Sequence, residues 1–449
     1  MKILLLFCVL TVAMSVLTVS AQMRKVFPYP YKTDDLPNGL RVVTVPTDYP
    51  NLVSLYIVVG SGSRNEIEAG KSGYAHFFEH LMFRGSENFP AGRFDEVMKK
   101  AGASSNAYTT DDRTVYHETF AKEDLDAVMR LESDRFQRLK FSEDQFKTEA
   151  GAVLGEYNKN SADPTEKMYE VLRETAFKNH TYSHTTMGYI ADIKDYPNQY
   201  AYAWQFFNRF YRPENTTILV VGDVKQPEVA AAVKKYWGDW KAGDYKQTIP
   251  IEPAQTEAKK QHIEWASATL PYVVVAYRAP AFSETDKDKA ALDLMSAIAF
   301  GSNSDLYQKL VLQEQKVVWV NGGADNHVDP ELFMVWSQIK DAKDLDYVRD
   351  EIVKTYQKYT KDLIPQKQLD ETRSRQRYAF SMAMNSNDAI AGTLARFVAL
   401  RRSPDTIDKL FALYDTITPE DIRAAAAKYF ADKNQTIVTL TAKPEGDAK

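Results

Sequence analysis

The strongest constraint on the fold of this chain is an internal repeat. The segment FYRPENTTI, which begins at Phe210, aligns without a gap with YFADKNQTI, which begins at Tyr429. In both copies the pattern ends a predicted helix and begins an apolar strand. The predicted strands and helices also start again in the same order after the first copy, which indicates a duplication of about two hundred residues per half. Strands interleaved with pairs of helices favour an α+β fold.

The first residues have the pattern of an export signal. Lys2 precedes the mostly apolar stretch 3–19, and the small residues V-S-A end at Ala21. We therefore predict a cleaved signal peptide over residues 1–21. A retained membrane anchor is the alternative, but the small-residue site and the polar sequence after it favour removal. No other apolar run is long enough to span a bilayer, so we expect no membrane association after cleavage.

The single cysteine, Cys8, lies inside this signal, so the mature chain would contain none. Disulfides and thiolate ligands are thereby excluded, and any metal must be held by histidine, aspartate or glutamate. A Sec-type signal before a cysteine-free body predicts a periplasmic location. The formal charge of −5 argues against nucleic acid as a main partner.

The segment 246–258 contains prolines and polar residues without an apolar period, which is typical of a linker. It predicts an N-terminal domain over residues 22–245 and a C-terminal domain over residues 259–449. Both are long enough to bury a core of their own.

A histidine pair supplies the clearest functional signal. In the segment GYAHFFEHLMF, which starts at Gly73, His76 and His80 are four residues apart and would lie on one face of a helix. Two imidazoles in this arrangement can bind one tetrahedral zinc ion and leave room for a third ligand and a water. Glu79 borders the same face, where a general base for that water must stand. Two structural histidines are the alternative, but only seven histidines occur in 449 residues, so a chance match is rare.

The third ligand would have to come from another element. Ser142 and Gln145 form a capping-box pattern, which predicts a helix that carries Glu149 and Glu156 on one face. The spacing alone does not distinguish between these two glutamates. It is also compatible with two solvated side chains on an exposed helix face.

Three segments together resemble the pitrilysin family of zinc peptidases, which includes insulin-degrading enzyme and the mitochondrial processing peptidases. They are HFFEH at 76–80, SNAYT at 105–109 and EAGAVLGEY at 149–157. The resemblance implies one Zn²⁺ per chain with Glu156 as its third ligand. It implies that Glu149 orients the site and that Asn106 and Ala107 belong to an edge strand that binds the substrate backbone.

The resemblance further implies two homologous α/β-sandwich domains in one chain, which form half of a clamshell peptidase. Only the N-terminal domain would bind metal. The implied activity is zinc-dependent endopeptidase cleavage of peptides or unfolded polypeptide segments held in an internal chamber, with Glu79 as general base.

The chain departs from the family at one place. The family usually carries, in its second half, an arginine and, seven residues later, a tyrosine that help to bind substrate. The matching positions here are Val311 and Val318, and no arginine lies between Arg278 and Arg349. We therefore expect a heterodimer whose partner is a homologous chain that lacks the zinc ligands and supplies this pair. A homodimer is the alternative.

A second function class is a non-catalytic clamshell subunit that serves as a scaffold or binds peptides. Such a subunit would be expected to lose a metal ligand or the general base. Here all four of these residues are present: His76, Glu79, His80 and Glu156. His180 and His184 are also four residues apart. The sequence T-Y-S between them is typical of a loop and not of a helix, which disfavours a second metal site.

Overall fold

The computed structural model describes residues 25–443, so the predicted signal peptide and Cys8 lie outside the described residues. Within this range the strands form two separate sheets. The first sheet has the spatial order β1-β2-β6-β3-β5-β4 and comprises β1 (Lys32–Asp35), β2 (Arg41–Pro46), β3 (Leu52–Val59), β4 (Ser104–Thr109), β5 (Thr114–Ala121) and β6 (Thr216–Gly222). The second has the order β7-β11-β8-β10-β9 and comprises β7 (Lys259–Trp265), β8 (Tyr272–Arg278), β9 (Val317–Gly323), β10 (Leu332–Ile339) and β11 (Gln435–Ala442).

The two sheets share one topology. Strands β2, β6, β3, β5 and β4 follow one another in space as do β7, β11, β8, β10 and β9. The pairs β2–β6 and β7–β11 are parallel, and the other pairings between these strands are antiparallel. The repeated nine-residue segments run into β6 and β11, the equivalent strands. The predicted duplication and the α+β class are therefore confirmed.

The helices group around these sheets. Those before the second sheet are α1 (Tyr74–Leu81), α2 (Ala91–Lys100), α3 (Leu125–Gln137), α4 (Glu143–Asn160), α5 (Pro164–Ala176), α6 (Ile190–Asp195), α7 (Tyr200–Phe210) and α8 (Gln226–Trp237). Those after β8 are α9 (Lys287–Ala299), α10 (Asp305–Tyr307), α11 (Leu345–Tyr359), α12 (Gln366–Ala383), α13 (Asn387–Arg401), α14 (Asp405–Thr416) and α15 (Pro419–Tyr429). Among the helices of residues 25–443, none is both long and apolar enough to cross a bilayer.

Local sequence explains the start of helix α4 but not the presence of strand β7. Helix α4 begins at the predicted capping box, in which Ser142 Oγ accepts from the Gln145 N–H and the Gln145 side chain accepts from the Ser142 N–H. Strand β7 is not predicted from the sequence. Its residues, KKQHIEW, are mostly polar and partly or fully exposed, so the apolar alternation that marks a strand is missing.

Each sheet is covered on one face by a helix from the other half of the chain. Helix α5, which precedes the second sheet, packs on β7 and β11, where Met168 and Leu172 are buried. Helix α13, from the second half, packs on β3 and β6, where Ile390 and Leu394 are buried. Burying one such side chain contributes about 1.5–3 kcal/mol. The two halves thus complete each other's hydrophobic cores.

Residues 240–258, which contain the predicted linker, form no helix or strand. They are nevertheless held against the first half, because the Glu252 carboxylate accepts hydrogen bonds from the backbone N–H groups of Lys178, Asn179 and His180. The same carboxylate lies 3.1 Å from the guanidinium of Arg278 on β8.

Candidate metal centre

Helix α1 carries the histidine pair and is fixed at both its N-terminus and its inner face. Gly73, at φ +82°, precedes the first turn, a backbone conformation that favours glycine. The buried Glu66 carboxylate accepts from the N–H groups of Gly73 at 2.5 Å and Ala75 at 2.7 Å. A carboxylate at this end of a helix also interacts favourably with the helix dipole. Phe77 and Phe78 are fully buried.

Three ligand atoms converge beside α1. The Nε2 atoms of His76 and His80 are 3.3 Å apart. Glu156 Oε2, from α4, lies 3.7 Å from the first and 3.4 Å from the second. Bonds of 2.0–2.2 Å to a tetrahedral zinc ion place neighbouring ligand atoms about 3.3–3.6 Å apart. The three side chains therefore fit one such ion, and they are the one group of converging His, Asp or Glu ligand atoms in the described part of the chain.

Glu149 lies behind this group. One of its oxygens is 2.9 Å from Nδ1 of His80, and the other is 2.7 Å from Nε of Arg84. When Nδ1 of His80 carries a proton, the Glu149 carboxylate can accept a hydrogen bond from it. The Nε2 atom of the same ring is then free to bind a metal. Glu149 thus contacts one of the three converging side chains and is not itself one of them.

The two histidines are in different electrostatic environments. Burial, together with the charge of His80, lowers the pKa of His76 to about 3, so this imidazole is neutral near neutral pH. A neutral imidazole has the free lone pair that a metal requires. Burial would also lower the pKa of His80, but the hydrogen bond to Glu149 and the neighbouring carboxylates raise it overall.

Glu79 points from α1 towards strand β4. Its Oε2 atom accepts a hydrogen bond of 2.6 Å from Oγ1 of Thr109. Burial raises the pKa of Glu79, while this hydrogen bond opposes the increase. A carboxylate with a raised pKa is a better proton acceptor near neutral pH.

Strand β4 forms an edge of the first sheet next to α1 and, within the described residues, pairs only with β5. The Ala107 N–H is bonded to the side-chain oxygen of Asn106 at 2.9 Å, so this donor is not used by the β5 ladder. The structure thus brings Asn106 and Ala107 to an open sheet edge beside the metal-ligand group.

Several contributors to the site were not singled out from the sequence. Glu66 caps the N-terminus of the helix that carries the HFFEH segment, Arg84 contacts Glu149, and Thr109 donates to Glu79. Thr109 belongs to the family-like segment SNAYT, which was the one available signal. Glu66 and Arg84 act through contacts that no local pattern encodes.

Two valines occupy the positions matched to the family's arginine and tyrosine, and they lie in different elements of the structure. Val311 lies in a π-helical turn, Gln308–Gln313, and Val318 lies on the edge strand β9 with 44% of its surface exposed. His180 and His184 do not form a pair. His180 Nε2 contacts Asp329 at 3.0 Å, whereas His184 Nδ1 contacts the Thr185 carbonyl.

A buried group of charged side chains joins the two halves at the turn that follows Thr109. We call it the inter-half cluster; it consists of Asp111, Asp112, Arg173, His327 and Glu331. Arg173 is fully buried and donates to both oxygens of Asp111, at 3.0 and 3.1 Å. Two residues of the second half complete the cluster: Glu331 lies 3.5 Å from Arg173, and His327 lies 3.3 Å from Asp112.

The cluster gives the folded protein a pH dependence. Burial lowers the pKa of His327, but Asp112, Glu331 and Asp111 outweigh it and raise the pKa from 6.5 to about 9. The protonated form is thus favoured in the folded state. Its contribution, on the order of 3 kcal/mol, is fully present below pH 6.5 and is lost as the pH rises through about 9.

We therefore expect the free energy of unfolding to fall between pH 6.5 and pH 9 by more in the wild type than in His327→Gln. Urea unfolding at these two pH values measures both losses, and the difference between them isolates the histidine. Equal losses in the two proteins would show that His327 does not bind its proton more tightly on folding.

Comparison with known families matches both halves. Residues 41–189 match the family described as "Insulinase (Peptidase family M16)", and residues 199–376 match "Peptidase M16 inactive domain". The chain is 30% identical over 412 residues to zinc protease PqqE of Helicobacter pylori, which covers 90% of this chain and 91% of that protein. It is 26% identical over 423 residues to a probable mitochondrial-processing peptidase subunit beta of Arabidopsis thaliana, covering 90% and 77%.

Solved structures agree on the fold. A protease from Helicobacter pylori superposes with a TM-score of 0.85 at 28% identity, covering 92% of this chain and 99% of that one. The first half of the periplasmic protease PqqL from Escherichia coli superposes with a TM-score of 0.75 at 19% identity, covering 92% of each. The same match covers 48% of the longer PqqL chain.

Proposed function

This chain belongs to peptidase family M16, and on that premise we propose that it is a zinc-dependent endopeptidase. It would cleave peptides or unfolded polypeptide segments held in an internal chamber. One observation carries the proposal: the ligand atoms of His76, His80 and Glu156 meet at distances that suit one zinc ion, with Glu79 on the same helix.

The contacts support a role for each residue. His76, His80 and Glu156 would hold the ion, and Glu149 would fix the His80 ring. When bound, zinc supplies a Lewis acid that polarises the scissile carbonyl and lowers the pKa of water. The Glu79 carboxylate accepts a proton from the attacking water and passes it to the nitrogen of the leaving amine. The raised pKa of Glu79 supports this role.

The substrate would bind as an added strand at the edge of β4. Its backbone would reach the Ala107 N–H after displacing the Asn106 side chain that occupies it. Backbone pairing of this kind gives affinity for extended peptides with little dependence on sequence.

We infer that the active assembly contains two chains. The match to half of the longer PqqL chain supports this, as does similarity to a protein named as a subunit. Because Val311 and Val318 replace the family's arginine and tyrosine, the proposed partner is a homologous chain that supplies them and lacks zinc ligands. A homodimer is the alternative.

The proposed mature chain has a metal-binding domain over 22–245, a connection over 246–258 and a second domain over 259–449. The proposed location is the periplasm. It is supported by the signal-like pattern of residues 1–21 and by similarity to a protease described as periplasmic.

Zinc content and peptide cleavage of the purified chain test the function. We expect one zinc per chain by plasma mass spectrometry. We also expect cleavage of internally quenched fluorogenic peptides, either by the chain alone or after addition of a homologous chain that carries the arginine and tyrosine. Phenanthroline should stop cleavage, and added zinc should restore it. A zinc-free protein that binds these peptides without cutting them would instead be a scaffold subunit.

A further inference from the structure

The general base has a fixed hydrogen-bond donor, and that donor is anchored to the other half of the chain. We propose that Thr109 is the positioning residue for Glu79 and that the inter-half cluster holds the turn that carries Thr109. The inference rests on the proposed peptidase function. It gives the second half a part in orienting the catalytic carboxylate.

The first step is the contact itself. Thr109 Oγ1 donates to Oε2 of Glu79 at 2.6 Å, and the Thr109 side chain is half-buried. Bonding one carboxylate oxygen in this way leaves Oε1 available for a proton. A base held in one orientation avoids the loss of rate that a misplacement of about 1 Å causes.

The second step is the position of Thr109 in the chain. It is the last residue of β4 and pairs with Thr114, the first residue of β5. The Thr110 N–H donates to the Arg113 carbonyl at 2.8 Å and closes the turn between the two strands. Asp111 and Asp112 form the tip of this turn. Any movement of these two aspartates is therefore passed to Thr109 through only one or two residues.

The third step is the anchoring of Asp111 within the first half. Its side chain accepts from Ser63 Oγ at 2.7 Å and from the guanidinium of Arg173. Its carbonyl accepts from the Arg64 N–H at 2.8 Å. A buried carboxylate with this many charged and polar partners has one well-defined position.

The fourth step is the anchoring of Asp112, to which both halves contribute. Its Oδ1 atom accepts from the hydroxyl of Tyr182, in the first half, at 2.7 Å. Its Oδ2 atom accepts from the Val328 N–H at 3.0 Å and lies 3.3 Å from His327. Glu331 reaches Arg173 and so ties the same turn to the start of β10. The second half thus contacts the turn directly at His327 and Val328, and Glu331 contacts Arg173, the residue that binds Asp111. It contributes none of the proposed metal ligands.

The test compares Thr109→Val with Thr109→Ser in the zinc-loaded protein, together with its partner chain if cleavage requires one. Valine keeps the shape but cannot donate, so we expect kcat to fall on the order of 10- to 100-fold. KM and zinc content should not change. Serine keeps the hydroxyl and should restore kcat to near the wild-type value. A valine variant with wild-type kcat would overturn the role of Thr109, and so would a fall in kcat that serine fails to restore.

A double-mutant cycle tests the link to the second half. His327→Gln should lower kcat several-fold in the wild type and have little further effect in Thr109→Val, because both changes would act on the same carboxylate. Independent effects would show that the cluster does not act through Thr109.

The design separates this inference from the proposed function. If the zinc-loaded wild type cleaves no peptide, the proposed function fails. Crystal structures of the wild type and Thr109→Val then decide the inference separately. An unchanged Glu79 rotamer in the variant would contradict it, and a rotated carboxylate would support it.

Discussion

Glu79→Gln is expected to abolish peptide cleavage while leaving zinc in place. Glutamine has nearly the same shape, and its amide oxygen can still accept from Thr109 Oγ1. It cannot take a proton from the attacking water, and loss of a general base costs on the order of 10²- to 10⁴-fold in rate. Since Glu79 is not among the three converging ligand atoms, the metal content should remain that of the wild type.

The measurement is kcat/KM on an internally quenched peptide, with zinc determined on the same samples. Glu96→Gln is a matched control, because Glu96 is an exposed glutamate on α2 whose one ion pair within residues 25–443 is with Arg93. It should change neither quantity. Cleavage by Glu79→Gln at the wild-type rate would exclude this residue as the base.

The second large effect is expected on zinc binding when either glutamate of α4 is replaced. The two substitutions should weaken zinc binding to different extents. Glu156→Gln removes a charged ligand atom that lies within 3.7 Å of both histidine Nε2 atoms, so we expect zinc to be lost on dialysis. Glu149→Gln leaves the three ligand atoms in place and removes only the negative charge beside His80, and changes of this kind weaken metal affinity about 10- to 100-fold.

Competition with a chromophoric chelator gives the zinc affinity of each variant. The expected order is wild type, then Glu149→Gln, then Glu156→Gln. If Glu149→Gln loses zinc and Glu156→Gln retains it, the two roles are reversed. Circular dichroism on the metal-free proteins checks that both variants remain folded.

Local patterns in the sequence predict those features of the site that are set within a single helix. The spacing of His76 and His80 places them on one face of α1, and the capping box at Ser142 sets the start of α4. These features depend on interactions within one or two helical turns. They need no knowledge of how the elements pack.

The choice between Glu149 and Glu156 depends on where α4 passes α1. Two turns of helix separate these glutamates on the same face, so periodicity treats them alike. The resemblance to a family favoured Glu156, and the structure brings its carboxylate to the histidines. Its role as a ligand stays a prediction until metal binding is measured.

Long-range contacts explain what the sequence does not predict. Glu66 caps α1 from seven and nine residues away, with a loop between. Thr109 reaches Glu79 only because the first sheet places β4 beside α1. The covering of each sheet by α5 or α13 depends on both halves at once, so neither half's own pattern contains it.

That covering has a consequence for how a substrate enters. A hinge between the two halves of one chain would have to pull α5 from the second sheet and α13 from the first. It would expose Met168, Leu172, Ile390 and Leu394 to water, at a cost of about 1.5–3 kcal/mol for each side chain. Domains joined by a large apolar interface move as one rigid body. In the proposed two-chain assembly, opening and closing of the proposed chamber would therefore take place at the contact between the chains, and each chain would move as one rigid body.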